Sequence, residues 1–465
     1  MIRAFHRFRR RWPIGVFLWA GACGLLVGQE SVSKMSYLEN EHLRVGVDLE
    51  LGGSITWLSA NSRKGNLVNN YDWGRQIQLS FYSGPNPFVP EGATVSEHWR
   101  ALGWNPIQSG DCYGFRSELL EHRNDGERIW LRCRPKIWPL KNRPAECEFQ
   151  VELRLDGPAV LLRGLMRNRR ADPTLYSGRH QELPAVYLNA PYHRLWTYTG
   201  EKPFTGGPLS EIAKKAPGGF PWTHFLATES WAALVDEQDF GVGVWHPGAL
   251  EFVGGFHLQP GTGGSKDSPC GYLAPLHSEV LDRGIAYEFR CELIVGSLEE
   301  IRARVASKPR QELPHWHFMK DRQHWIYHRV QDQGWPIQDA LVLTTTEPDP
   351  QLISPAVLWQ AERAPVLLLE AAFEGEVESY GQVFWKPIGQ PNYSAECSRR
   401  WKWKRDGKWY RYRLPLTDSE HYRGSMIGLR LDPMDHGGQA GKLKLRRVQL
   451  VASDPGSPDL EPLLR

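Results

Sequence analysis

The stretch Cys147–Leu155, Asp156-Gly157-Pro158, Ala159–Met166 constrains this chain's fold more than any other. Apolar residues alternate with polar ones on both sides of a turn triplet. That period of two belongs to half-buried strands, so the stretch reads as an antiparallel hairpin. Related patterns recur at 42–58 around Gly52-Gly53, at 128–138, at Trp231–Asp236 and Gly241–Trp245, and at Tyr272–Pro275 and Ile285–Gly296. The one short helix candidate before residue 306 is Leu298–Val305, while 45 Gly and 34 Pro supply turns throughout. The class expected is all-β: a large antiparallel sandwich followed by a smaller jelly-roll-like one.

The expected layout is an export leader at 1–28, a first sandwich at 38–305, a linker at 306–340 and a second sandwich at 341–452. Val342–Thr345, Val366–Phe373, Tyr380–Trp385, Trp409–Leu414, Met426–Leu431 and Lys442–Leu450 are the strands expected in the second sandwich, and Pro455–Arg465 reads as a tail. The leader has a basic start (Arg3 to Arg11), an apolar run (Pro13 to Val27) and a cleavage point near Gly28-Gln29. That run is too short for a stable membrane span, so a periplasmic or extracellular protein is expected. Lipid anchoring at Cys23 is the lesser alternative, because Ala20-Gly21-Ala22 makes a poor lipobox. Past the leader, Cys112, Cys133, Cys147, Cys270, Cys291 and Cys397 form an even set that export would permit to pair, with Cys133 and Cys147 placed to face each other.

A net charge of +3, from 56 basic and 53 acidic residues, argues against a nucleic-acid partner. The basic, aromatic Arg399–Arg413 stretch reads as a twisted strand pair with long stems lying over rings. The chain holds 20 Trp, whose flat apolar face and single donor suit sugar rings when they are not simply core. No CxxC pair, EF-hand loop or phosphate-cradling order is present, and His324 and His328 lack the Glu of an H-E-x-x-H site, so no metal or cofactor is expected.

Gly178-Arg179-His180-Gln181-Glu182-Leu183-Pro184-Ala185-Val186-Tyr187-Leu188-Asn189 concentrates chemistry in one strand-like segment. Two positions apart, His180 and Glu182 share a face at about 7 Å between Cα atoms, an acid/base pair in form. The competing reading is a polar rim at a sheet edge. Arg75, Gln78 and Tyr82 follow a strand near Asp72, and Arg75 reads equally as a carboxylate or sugar fork and as an ion pair with Asp72. The long loop 83–114 holds Trp99, Trp104 and Asp111 and is expected to wall a binding cleft. Arg179, Tyr187, His224, His277 and Glu279 complete the candidate substrate-binding set.

The order of features in 38–305 resembles the galactose mutarotase-like β-sandwich superfamily. The resemblance rests on Gly52-Gly53-Ser54-Ile55-Thr56-Trp57-Leu58, on the hairpin Phe149–Arg167 followed by Asn168, and on the closing Tyr287-Glu288-Phe289. It implies a sugar cleft with a catalytic His near His180 and a catalytic Glu on a late strand. The nearest stretch, Tyr272–Pro275, has no Glu, and Glu279 comes after it. The C-terminal region, with Gly428–Pro433 and Leu443–Leu450, looks like a carbohydrate-binding-module sandwich. The function expected is that of a secreted glycan-cleaving enzyme, either a glycoside hydrolase with two carboxylates or a polysaccharide lyase. The alternatives are a sugar epimerase or mutarotase, and a non-catalytic glycan-binding protein.

Overall fold

The computed structural model describes residues 34–213, 222–310, 312–345, 347–376, 378–434, 441–453 and 458–463; the expected leader, including Cys23, lies outside them. The hairpin forms as Cys147–Asp156 and Ala159–Asn168, in register from Asp156 opposite Ala159 to Cys147 opposite Asn168. Phe149, Val151 and Leu153 turn inward and are buried, while Gln150, Glu152 and Arg154 turn out, as a two-residue period requires.

That hairpin sits inside a nine-stranded sheet, and a ten-stranded sheet packs on it, all the pairings being antiparallel. Eight strands of the ten-stranded sheet run in the order Met35–Glu39, Leu43–Asp48, Ser54–Ala60, Ile77–Ser80, Arg179–Asn189, Cys270–Glu279, Glu251–His257, Trp222–Leu226, and Pro106–Ile107 with Lys136–Ile137 branches off Ile77–Ser80. Between the sheets lies one continuous apolar core that includes Val45, Ile77, Phe81, Phe149, Leu188, Leu273 and Leu293. Each fully buried side chain of this kind contributes about 1.5–3 kcal/mol. The turn between Leu43–Asp48 and Ser54–Ala60 uses Gly52 and Gly53 at φ +59° and +74°, and a Cβ at Gly52 would strike the Gln108 carbonyl. The helix Leu298–Ala306 starts on a capping box in which Ser297 and Glu300 satisfy each other's backbone N–H groups.

Two six-stranded sheets form from residues beyond 312 and enclose a second core around Trp316, Trp325, Trp359, Trp385 and Phe373. Several expectations change here. The 306–340 stretch does more than link: His315–His317 pairs with Gly441–Val451, Ile326–His328 pairs with Gln351–Ile353, and Trp316 and Trp325 of this stretch pack in the second core. Ser398–Lys402 and Asp406–Pro415 are not partners, because the first joins Tyr380–Pro387 and the second joins Val366–Gly375 in the opposite sheet. Within the expected tail, Leu460–Pro462 adds an edge strand. Gly254 and Gly255 belong to the strand Glu251–His257. All six described cysteines are free thiols; Cys133 lies opposite Phe149 and Cys147 opposite Asn168, on adjacent strands.

A buried ionic knot joins the two sandwiches. The Arg322 guanidinium, 1% exposed, donates to Asp332 at 2.6 and 3.0 Å and to Asp282 of the first sandwich at 2.8 Å. Asp282 also accepts the Trp335 N–H at 2.8 Å. Removing the cation strands two buried carboxylates, so Arg322→Met should lower stability by about 3–5 kcal/mol. Chemical denaturation of the variant checks this; a loss below about 1 kcal/mol would contradict it.

Candidate functional site

The Arg179–Asn189 strand lies between Ile77–Ser80 and Cys270–Glu279 near the middle of the ten-stranded sheet. Its register slips between Glu182 and Ala185, around Pro184. Proline has no N–H to give to a ladder and tolerates such a break. The bulge puts Glu182, Ala185 and Tyr187 on one outward face, where strict alternation would have turned Ala185 away from Glu182. All three line a cavity of about 430 Å³ on the sheet surface.

Its walls are aromatic. Tyr187, Tyr272 and Trp222 form a connected group, with Tyr187–Tyr272 and Trp222–Tyr272 centroids 4.6 and 4.7 Å apart. Trp99 meets Trp138 edge-on at 5.9 Å on the loop side. The 83–114 loop supplies His98, Trp99, Leu102, Asn105 and Ile107 to the lining.

Glu182 and Asp72 are the carboxylates among the lining residues. The Tyr82 hydroxyl donates to Glu182 Oε2 at 2.9 Å. Burial pushes the Glu182 carboxyl above the ordinary glutamate range; the neighbouring Tyr272, Tyr82 and Ser80 hydroxyls partly offset this by favouring its charge. Burial also drives the Tyr82 phenol up, so it remains a donor at neutral pH. Asp72 pairs with Arg75 Nε at 3.2 Å and accepts the Gly74 N–H at 2.8 Å. Arg75 also donates to the carbonyl and hydroxyl of Ser268. Gln78 lines the floor, but its amide is committed to Trp73 O at 3.1 Å and to the Ser109 N–H at 2.9 Å.

The site therefore gathers Glu182, Tyr82, Arg75, Gln78, Trp99 and Tyr187 from the sequence reading and leaves out the rest. His180 shares the outward face with Glu182 but lines a different cavity. It sits 4.0 Å from Glu251, its ring 5.9 Å from that of His224, in a separate cleft of about 140 Å³. Trp104 is 1% exposed core beneath Arg170. Asp111 is a loop brace, accepting the backbone N–H groups of Tyr113, Phe115 and Asn142. Arg179 stacks 5.3 Å over Tyr82 and donates to the Leu102 carbonyl at 2.8 Å, so it props the wall from behind. Glu279 does end a strand, Cys270–Glu279, but it points to His324, whose Nδ1 is 3.3 Å away. Trp138, Trp222, His98 and Tyr272 line the cavity without having been singled out as site residues. The signal for them was an aromatic beside a Gly- or Pro-rich turn, which Trp138 before Pro139 and Trp222 after Pro221 both show.

His277 belongs to a histidine row, buried at His246 and His277 and half-buried at His324: the His246 and His277 rings are 4.6 Å apart, as are those of His277 and His324, and Glu279 lies beside His324. Burial lowers the His246 pKa to about 4 from 6.5. The unfolded chain then binds this proton at higher pH than the folded one. The stability that neutral His246 provides is full above pH 6.5 and lost as pH falls toward 4, on the order of 3 kcal/mol in all. His246→Asn should flatten the decline in melting temperature over that window; an unchanged slope would contradict the assignment.

Among the described residues no helix is long and apolar enough to cross a membrane. No protein-family model matches this chain, and no curated protein sequence matches it. Among solved structures, it is similar in fold to a galactose mutarotase-like protein from Lactobacillus casei, at 12% identity and TM-score 0.36 over 56% of this chain and 99% of that one. A galactose mutarotase related enzyme from Lactobacillus acidophilus aligns at 13% identity and TM-score 0.37, over 57% and 97%. The 4-alpha-glucanotransferase from Thermococcus litoralis aligns at 14% identity and TM-score 0.33, over 57% of this chain and 37% of that one.

Proposed function

We propose that this chain is an exported carbohydrate-active enzyme that hydrolyses a glycan in the Glu182 cavity. The observation that carries the reading is a single half-buried carboxyl, raised above the ordinary range, on the floor of an aromatic-walled cavity. Rings such as Trp222, Tyr187 and Trp99 offer the flat apolar faces that sugar rings stack on. A cavity of about 430 Å³ is in the size range of small-ligand sites. In this reading Glu182, its carboxyl raised above the ordinary glutamate range by burial, gives its proton to the glycosidic oxygen, and Tyr82 then stabilises the carboxylate left behind. Asp72, held as the partner of Arg75, is the proposed second carboxylate: it takes a proton from the water whose oxygen bonds to the anomeric carbon as the glycosidic bond breaks.

Hydrolysis is preferred to lyase chemistry because of where the cations go. A lyase needs a cation free to neutralise a uronate carboxylate. Arg75 is engaged by Asp72 and Ser268, and Arg179 by the Leu102 carbonyl. Export rests on the basic and apolar leader pattern of residues 1–28. Fractionation of cells expressing the full chain, with and without that segment, tests it.

Reducing-end release on a panel of polysaccharides tests the activity, and absorbance of unsaturated products would instead indicate a lyase. Glu182→Gln and Asp72→Asn should each lower kcat by about 10²–10⁴-fold with the fold intact by circular dichroism. Wild-type rates in both variants would reject the assignment. With Glu182 as acid, activity falls as pH rises through its folded pKa. Tyr82→Phe removes a hydrogen bond that lowers that pKa, so the alkaline limb should move to higher pH. A limb that stays in place or moves down would rule out Tyr82 as the partner of the acid.

A further inference from the structure

We infer that the chain carries a second saccharide site, for an acidic oligosaccharide, in the cavity between the two sandwiches. From the function proposed above it takes only the idea that the ligand is a glycan. The cavity holds about 810 Å³, larger than the Glu182 cavity, and shares no lining residue with it. One wall comes from the first sandwich and the end of the Leu298–Ala306 helix, the other from the segment around Trp359–Arg363 of the second. The walls are fastened across the seam: Gln360 Nε2 and the Ser425 hydroxyl both donate to the Glu201 carbonyl, each at 3.1 Å.

The charge lining is one-sided. Lys202, Lys308, Arg310 and Arg363 face the cavity, and Glu229 is the one acid among the lining residues. Glu229, 1% exposed, is already satisfied by Arg302 at 3.0 and 3.2 Å, by Trp231 Nε1 at 3.0 Å and by the Phe204 N–H at 2.8 Å. Lys308 is neutralised by Glu292. Lys202, Arg310 and Arg363 remain, and no described carboxylate lies within ion-pair distance of them. Uncompensated like charges around a concavity repel one another and favour an anionic guest.

Two features select the class of guest. The three cations stand on separate segments: the loop after Tyr198, the chain past the helix, and the second sandwich. They therefore suit negative charges spaced along a chain better than a single phosphate. The lining is also aromatic, with Trp245 and Phe204; Arg310 is held 3.7 Å over the Phe204 ring and Lys308 Nζ 5.1 Å over Trp245. Rings beside fixed cations match a sugar unit that bears a carboxylate or sulfate.

Calorimetric titration of the full chain carrying Glu182→Gln, expected to slow any turnover of the probes, tests this. The probes are tetragalacturonate, a heparin-derived tetrasaccharide, and fully methyl-esterified tetragalacturonate. At least one acidic probe should bind, the ester at least tenfold more weakly, and the affinity should fall as salt rises. The Arg310→Gln/Arg363→Gln double variant should lose at least tenfold while keeping its melting temperature. A third variant, Tyr187→Ala in the other cavity, should bind as before. The inference is overturned if neither acidic probe binds, if the ester binds equally, if the double variant is unaffected, or if Tyr187→Ala abolishes binding. Inorganic tripolyphosphate binding as tightly as the acidic sugars would overturn the saccharide class. Failure of the hydrolase reading would instead show as undiminished turnover in Glu182→Gln, leaving the binding results unchanged.

Discussion

The pairing of Arg179–Asn189 between Ile77–Ser80 and Cys270–Glu279 is the constraint on which the rest of the site depends. Held on both edges, this strand cannot slide without moving a whole set of side chains to the other face. The slip at Glu182/Ala185 is local and keeps Glu182, Ala185 and Tyr187 on the outward side. The acid candidate is thus fixed by backbone pairing rather than by a loop, and its donor Tyr82 follows directly from the neighbouring Ile77–Ser80 strand. The 83–114 loop and Trp138 then close the cavity around a floor that already exists.

The second sandwich is attached through a few strongly held points. Arg322 reaches back to Asp282, Trp335 to the same carboxylate, and Gln360 and Ser425 to Glu201. Such a seam creates cavities that neither sandwich would have alone. One is the cleft holding His180, Glu251 and Tyr393, and the other is the larger basic cavity beside Trp245. In the proposed reading the first sandwich supplies the chemistry, and the seam supplies a second place for a glycan.

The hairpin at 147–168 was legible because burial on one face imposes a two-residue period that survives in sequence. Glu182, Tyr82, Arg75 and Tyr187 were legible as polar and aromatic residues packed next to strands. The pairing of His180 with Glu182 was a different matter. Sequence spacing places both on one face, and it does so correctly, but a face several strands wide holds more than one cavity. Trp104 and Asp111 failed for a related reason: in an irregular loop no periodicity tells an inward from an outward side chain, and both turned in. Ser398–Lys402 and Asp406–Pro415 looked like a hairpin because a short turn usually joins partners; here the chain crosses between sheets instead.

As the acid of the proposed reaction, Glu182 should still hold its proton just above the pH at which an ordinary glutamate, with a pKa of about 4.3, loses it. Difference infrared titration of the wild type against Glu182→Gln isolates the protonated carboxyl stretch of this one residue. That band should persist above this pH. A band lost at or below the ordinary glutamate value would contradict the account, because Glu182 would then enter the reaction as a bare carboxylate with no proton to give.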